Sequence, residues 1–177
     1  MSEHESTPAG RDRAAVERQA FTASMASFPT GVTLVTTLDA AGLPCGLTCN
    51  AFMSVSVDPP LVLVSVDRDS QTLPALRRMR HFVVNFLAAG REELATLCAS
   101  KRTDKFVEID WEATHRGLPV LLSDSVAHVS CSVEQEIEAG DHVLFLGRVF
   151  DARPPEPDAV PLLYFRRMFD QWPVLER

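Results

Sequence analysis

Residues Ala127–Ile137 alternate with period two. Ala127, Val129, Cys131, Val133 and Ile137 fall on one face, and His128, Ser130, Ser132, Glu134 and Glu136 on the other. A strand places successive side chains on opposite faces, so the stretch predicts a strand with one buried and one wet face. Gly140-Asp141-His142 follows as a turn, and Val143–Val149 returns as the second arm of a hairpin. A chain built round such a hairpin folds as a sheet, not as a helix bundle.

The rest of the chain supplies the partners of that hairpin. Val32–Leu38 is rich in β-branched residues, the DAAGLP of Asp39–Pro44 has turn chemistry, and Cys45–Asn50 pairs back. Leu61–Val66 and His81–Leu87 are nearly all apolar, as strands buried on both faces would be. Leu162–Phe165 follows a proline-rich loop at Ala152–Pro161 as a last strand. Helices are expected at Arg13–Phe28, Gln71–Arg80 (capped by Asp69 or Ser70) and Arg91–Ala99. Tight turns outnumber helical crossovers, which favours an antiparallel barrel or sandwich with helical insertions over a doubly wound sheet.

A chain of 177 residues, 46% apolar, is expected to bury a core without disulfide or metal support. Residues 1–12 read as a mobile tail and 13–177 as one domain. Seventeen basic against 24 acidic residues leave a formal charge of −7. That balance argues against nucleic acid or an anionic membrane as partner. The four cysteines form no C-x-x-C pair, no apolar run approaches a membrane span, and no signal-peptide core is present. The expectation is a reduced, cytoplasmic protein with no metal site. No G-x-G-x-x-G follows a strand, and Walker A, H-E-x-x-H and G-x-S-x-G motifs are missing.

Four polar groups carry the remaining signal. In Thr48–Ser54, small and hydroxyl residues end a strand, either as a β-bulge or as a surface a flat ligand approaches closely. Asp67–Thr72 places hydroxyls at a helix start, where they cap the helix or face a phosphate. Gly140-Asp141-His142 is either a solvated turn or a ligand contact. Lys101, Arg102 and Lys105 include both lysines of an acidic chain, as a solvated loop or as a local focus for anions. Cys49 has no base beside it and reads as a packing residue.

In this order these groups resemble the short-chain flavin reductase family, the small reductase components of two-component flavin monooxygenases. The resemblance rests on FPTGVTLVTT (Phe28–Thr37), GLTCNAFMSVSVDPPLVLVSVDRDSQT (Gly46–Thr72), FVVNFL (Phe82–Leu87), DKF (Asp104–Phe106), GLP (Gly117–Pro119), AGDHVLFLGRV (Ala139–Val149) and PLLYF (Pro161–Phe165). The chain departs from the family's usual pattern at Asn50-Ala51, where two serines are common, and at Leu97-Cys98, where Phe-Ala is common.

The resemblance implies an FMN-binding split barrel, a homodimer with flavin near the subunit interface. It implies that Thr30, Gly31 and Val32 line the flavin, and that Thr48, Cys49, Asn50 and Ala51 face its ring and ribityl chain. Ser65 and the turn Ser70–Thr72 would face the ribityl phosphate, with Lys105 as its cation. Gly140, Asp141 and His142 would meet the nicotinamide. The implied activity is hydride transfer from NADH or NADPH to FMN or FAD, supplying reduced flavin to a separate monooxygenase. A tight-flavin electron-transfer protein and a non-enzymatic flavin sensor are the rival readings of the same fold.

Overall fold

The computed structural model describes residues 16–171. The expected tail at 1–12, the start of the expected first helix and Trp172 lie outside the described residues. Helix α1 (Arg18–Ala26) leads into β1 (Thr30–Gly31), β2 (Thr33–Leu38), β3 (Pro44–Cys49), β4 (Phe52–Val57) and β5 (Pro60–Asp67). Helix α2 (Leu73–Met79), β6 (His81–Leu87) and α3 (Glu92–Ala99) follow. After a short pair, β7 (Glu112–Ala113) and β8 (Pro119–Val120), come the hairpin arms β9 (Ser125–Ala139) and β10 (His142–Arg153). The described chain closes with β11 (Leu162–Phe165) and β12 (Met168–Gln171).

Seven strands form one antiparallel sheet in the order β3-β2-β6-β9-β10-β5-β4. Its two edge strands, β3 and β4, are joined only by Asn50-Ala51. Laid flat, six interstrand steps of about 4.8 Å would hold those edges ~29 Å apart. Three Cα steps from Cys49 to Phe52 reach ~11 Å at most. The sheet must therefore curl until its edges meet. They meet without pairing as strands; across the split the Cys49 thiol of β3 donates to the Ser65 carbonyl of β5 at 3.4 Å. The result is a split barrel.

Inside lie Val35, Val64, Phe82, Val84 and Phe145, with Leu73 and Leu76 of α2 packed into the same cluster. Outside β2 and β6 a second layer forms. Leu34 and Leu87 pack with Ala95 and Cys98 of α3, while Val83 packs with Leu118 and Val120. Strands β2 and β6 are thus buried on both faces, and that is why β6 is nearly all apolar and β2 carries only Leu, Val and Thr. Asn85 is the polar exception in β6 and is fully buried. Its Nδ2 donates to the Leu34 carbonyl at 3.0 Å and to Thr36 Oγ1 at 3.1 Å. Its Oδ1 accepts from the Leu121 N–H at 2.9 Å, tying the outer layer to the sheet.

Three expectations need correction. Leu61–Val66 is not buried on both faces: Val62, Val64 and Val66 enter the core, but Leu61, Leu63 and Ser65 are only half-buried. Among the described residues no outer layer covers that part of the barrel. The wet face expected of Ala127–Ile137 is wet only in its second half. Ser130 pairs with Val83 and His128 with Asn85; paired residues share a face, so both lie buried beneath the segment Leu118–Leu121. The stretch Thr48–Ser54, expected to end a strand, instead leads after Asn50-Ala51 into a further strand, β4 (Phe52–Val57). A bulge at Val55 interrupts its pairing with β5.

Candidate active site

The cleft that brings together Thr48, Ser70, Thr72 and Lys105 of the expected residues lies between β3, the turn after β5 and the C-terminal end of α3. It has a volume of about 250 Å3, and Thr48, Asp67, Ser70, Thr72, Ser100 and Lys105 are among the residues lining it. A smaller extension of about 170 Å3 runs on past Lys105 towards Arg102 and Thr103. The Ser70 hydroxyl accepts from the Thr72 N–H at 3.3 Å, shaping the turn that enters α2. The cap of α2 is Thr72, and no side chain closes it. Thr48 is fixed rather than free, since its hydroxyl donates to the Ala95 carbonyl at 2.6 Å.

Lys105 dominates the electrostatics. It sits in a single 3-10 turn, Lys105–Val107, and only 8% of its surface is exposed. Its Nζ donates to the Cys98 carbonyl at 2.8 Å. No carboxylate pairs with it among the described ion pairs. Burial holds its ammonium below the ordinary lysine range, the nearby Cys98 and Cys45 opposing that shift. A buried ammonium with one carbonyl partner is costly unless an anion completes its surroundings. That orphaned charge is the feature of the cleft that fits a phosphate group.

The hairpin tip stands beside this cleft. The Arg68 N–H donates to the Asp141 carbonyl at 3.0 Å, and His142 is in register with Asp67, itself a cleft residue. Gly140 takes a positive φ of 64° that L side chains rarely adopt, and makes the turn possible. His142 Nδ1 lies 2.8 Å from Asp141 Oδ1. A carboxylate only accepts, so Nδ1 carries the proton of this contact and Nε2 is the ring nitrogen turned away from Asp141. The bond to His142 holds the Asp141 carboxyl below its usual range.

Other expected residues stand outside the cleft. Asn50 and Ala51 are exposed at the split between β3 and β4, and Gly31 is exposed as well. Thr33 Oγ1 donates to the Cys49 carbonyl at 2.6 Å, placing the start of β2 alongside that split. Val32 is buried, its N–H bonded to the Leu162 carbonyl and its carbonyl to the Leu87 N–H. Cys49 is buried too and turns its thiol inward. Thr30 Oγ1 is a buried hydroxyl without a hydrogen-bond partner among the described residues. Leu47 and the end of α3 at Cys98–Ser100 also line the cleft. They carry no sequence signal, because only the fold brings α3 against β3.

No cysteine offers a nucleophile. Burial pushes the Cys45 and Cys98 thiols up to about 11 and the Cys131 thiol to about 12, and it raises Cys49 as well. None forms a disulfide. Among the described residues no cluster of His, Cys, Asp or Glu could hold a metal.

A split barrel with an unbalanced buried cation in its cleft is a scaffold whose charge an anionic ligand would balance. Residues 25–173 match the Flavin reductase like domain. The chain belongs to that family. A flavin reductase (NADH) of Kitasatospora aureofaciens is 43% identical over 91% of this chain and 85% of its own. The reductase subunit HsaB of a flavin-dependent monooxygenase from Rhodococcus jostii is 36% identical over 88% of this chain and 78% of its own. The Streptomyces globisporus NADH:FAD oxidoreductase SgcE6, solved with NAD and FAD fragments, superposes with a TM-score of 0.82 at 34% identity, covering 89% and 94% of the two chains.

Proposed function

We propose that this chain is an NAD(P)H:flavin oxidoreductase that passes a hydride to FMN or FAD and supplies the reduced flavin to a separate monooxygenase. The observation that carries the reading is the cleft with its buried, unbalanced Lys105. Flavin supplies the hydride-accepting chemistry, so the protein has only to bind and orient the two partners. Lys105, Ser70 and Thr72 would hold the phosphate end. The backbone of Thr48–Ala51 and of Thr30–Val32 would border the ring, and Ser65 the ribityl chain. At about 250 Å3 the cleft falls below the roughly 300–1,000 Å3 of sites that enclose a whole ligand. It therefore takes one end of the flavin and leaves the ring at the exposed Asn50-Ala51 split.

A second copy of the chain is the proposed cover for that ring. Next to the split, Met53, Val55 and Val57 of β4 expose 55%, 48% and 90% of their surface. Leu61 and Leu63 beside them are half-open. Contiguous exposed apolar surface of this kind marks an interaction face. Light scattering should return a dimer mass at micromolar concentration, and Val55→Asp should shift it towards monomer with loss of flavin affinity. A wild-type monomer with full flavin affinity would refute this arrangement.

His142 is the residue proposed to meet the nicotinamide, with Nε2 as acceptor for its carboxamide N–H. Losing one such bond costs about 0.5–1.5 kcal/mol, a few- to tenfold. His142→Ala should raise the NAD(P)H KM or slow anaerobic hydride transfer by that factor, with flavin affinity little changed. A folded, flavin-binding variant with unaltered KM and rate would return His142 to the role of a solvated turn residue.

A further inference from the structure

The cleft does not end at Lys105. Gln71, Thr72 and Lys105 line both the cavity of about 250 Å3 and the extension of about 170 Å3 beyond it. That extension runs between Cys45 and Gly46 of β3 and Ala75 of α2, and Arg102 and Thr103 border it. A single ammonium therefore stands on the boundary between two adjoining spaces. An ammonium has three N–H groups. One goes to the Cys98 carbonyl, and the others suffice to serve an anion on each side.

The far space is cationic in its own right. Arg102 holds Asp104 through Nε and Nη2 and Glu108 through Nη2, while Nη1 makes no hydrogen bond among the described residues. Neither of those carboxylates lines the extension. Asp39 does, but its Oδ1 already accepts from the Ala41 N–H at 2.8 Å and the Leu43 N–H at 2.9 Å. Burial is the main cause that raises the Cys45 thiol, and Asp39 adds to it. The charges of Arg78 and Lys105 oppose that shift, so both cations are felt at this wall.

A monophosphate in the first cavity meets one side of Lys105 and leaves Arg102 without a role. A diphosphate carries a second anionic group one bridging oxygen away, within reach of the other side of the same ammonium. We propose that the extension is a subsite for the second phosphate of FAD, with Lys105 between the two phosphates and Arg102 as the second cation, so that this chain takes FAD in preference to FMN. The proposal rests on the reading of the cleft as the flavin phosphate site. The extension is smaller than the roughly 300–1,000 Å3 of sites that enclose a whole ligand. It takes the phosphate and leaves the adenine outside. NAD(P)H carries a diphosphate too, so the test has to separate the two sources.

The test is the Kd of FAD and of FMN, titrated by fluorescence without nicotinamide, with the NAD(P)H KM measured in parallel at saturating FMN. Wild type should bind FAD about three- to tenfold more tightly than FMN, the scale of one added polar contact at a partly exposed site. Arg102→Ala should weaken FAD by about the same factor and leave FMN within about twofold. Arg102 also holds Asp104, next to Lys105, so a second variant keeps that pair intact. Thr103 is exposed and borders only the extension; Thr103→Glu should weaken FAD alone, by repelling its second phosphate. FAD and FMN bound alike by wild type, or either variant failing to separate them, overturns the subsite. So does a shift of the NAD(P)H KM in place of the FAD Kd, which assigns the extension to the nicotinamide dinucleotide. In each of those cases FMN reduction persists and the reductase reading stands. Failure to bind either flavin overturns both.

Discussion

Replacing Lys105 with alanine should weaken FMN binding by about 10- to 150-fold, the loss of a charge-assisted hydrogen bond worth ~1.5–3 kcal/mol. The lysine is buried and its one described partner is the neutral carbonyl of Cys98. A phosphate would balance the charge that the fold leaves unpaired, so the ligand gains from burial that the free protein does not exploit. Riboflavin lacks the phosphate, and its affinity should hardly change. Fluorescence titration of both flavins against wild type and Lys105→Ala separates the two contributions. Equal weakening of both would make Lys105 a structural strut that supports the end of α3.

Asn85→Ala should destabilise the fold by about 2–4 kcal/mol, since three hydrogen bonds vanish and a buried N–H loses its acceptor. The stranded group is the Leu121 N–H, in the segment that crosses β2 and β6. For a chain of this length the melting temperature should fall by roughly 5–15 °C. Asn85→Asp should be no better: it keeps the acceptor for Leu121 but loses both donors and buries a charge against the Leu34 carbonyl. Thermal and urea melts measure this directly. A loss below about 1 kcal/mol would mean that the outer layer is held by packing on Val83 and Leu87 instead.

Most of the barrel was legible because its strands obey period two or run continuously apolar. The β2–β3 pair and β6 were placed within a residue, and the hairpin within two except at the end of β10, which runs four residues past Val149 to Arg153. Strand β4 escaped notice although Phe52–Val57 alternates. Its apolar set faces outward, and the two prolines after it read as a loop. The buried half of β9 escaped for a related reason: the cover over His128 and Ser130 comes from a segment only about ten residues upstream in sequence, yet laid across the sheet by the Asn85 clasp. Within the site, Ser70, Thr72 and Lys105 came from local chemistry, helix-start hydroxyls and a cation in an acidic chain. The burial of Lys105, the inward turn of Cys49 and the occupied backbone of Val32 depend on tertiary packing that no local pattern encodes.

Turnover with free flavin is the direct test of the reductase activity. Purified protein, NADH or NADPH and added FMN or FAD under anaerobic conditions should show nicotinamide oxidation matched one-to-one by flavin bleaching. The rate should rise with added flavin and saturate. A rate indifferent to added flavin, carried by flavin that copurifies with the protein, would make the chain a tight-flavin electron carrier; no nicotinamide oxidation at any flavin concentration would contradict the reductase altogether.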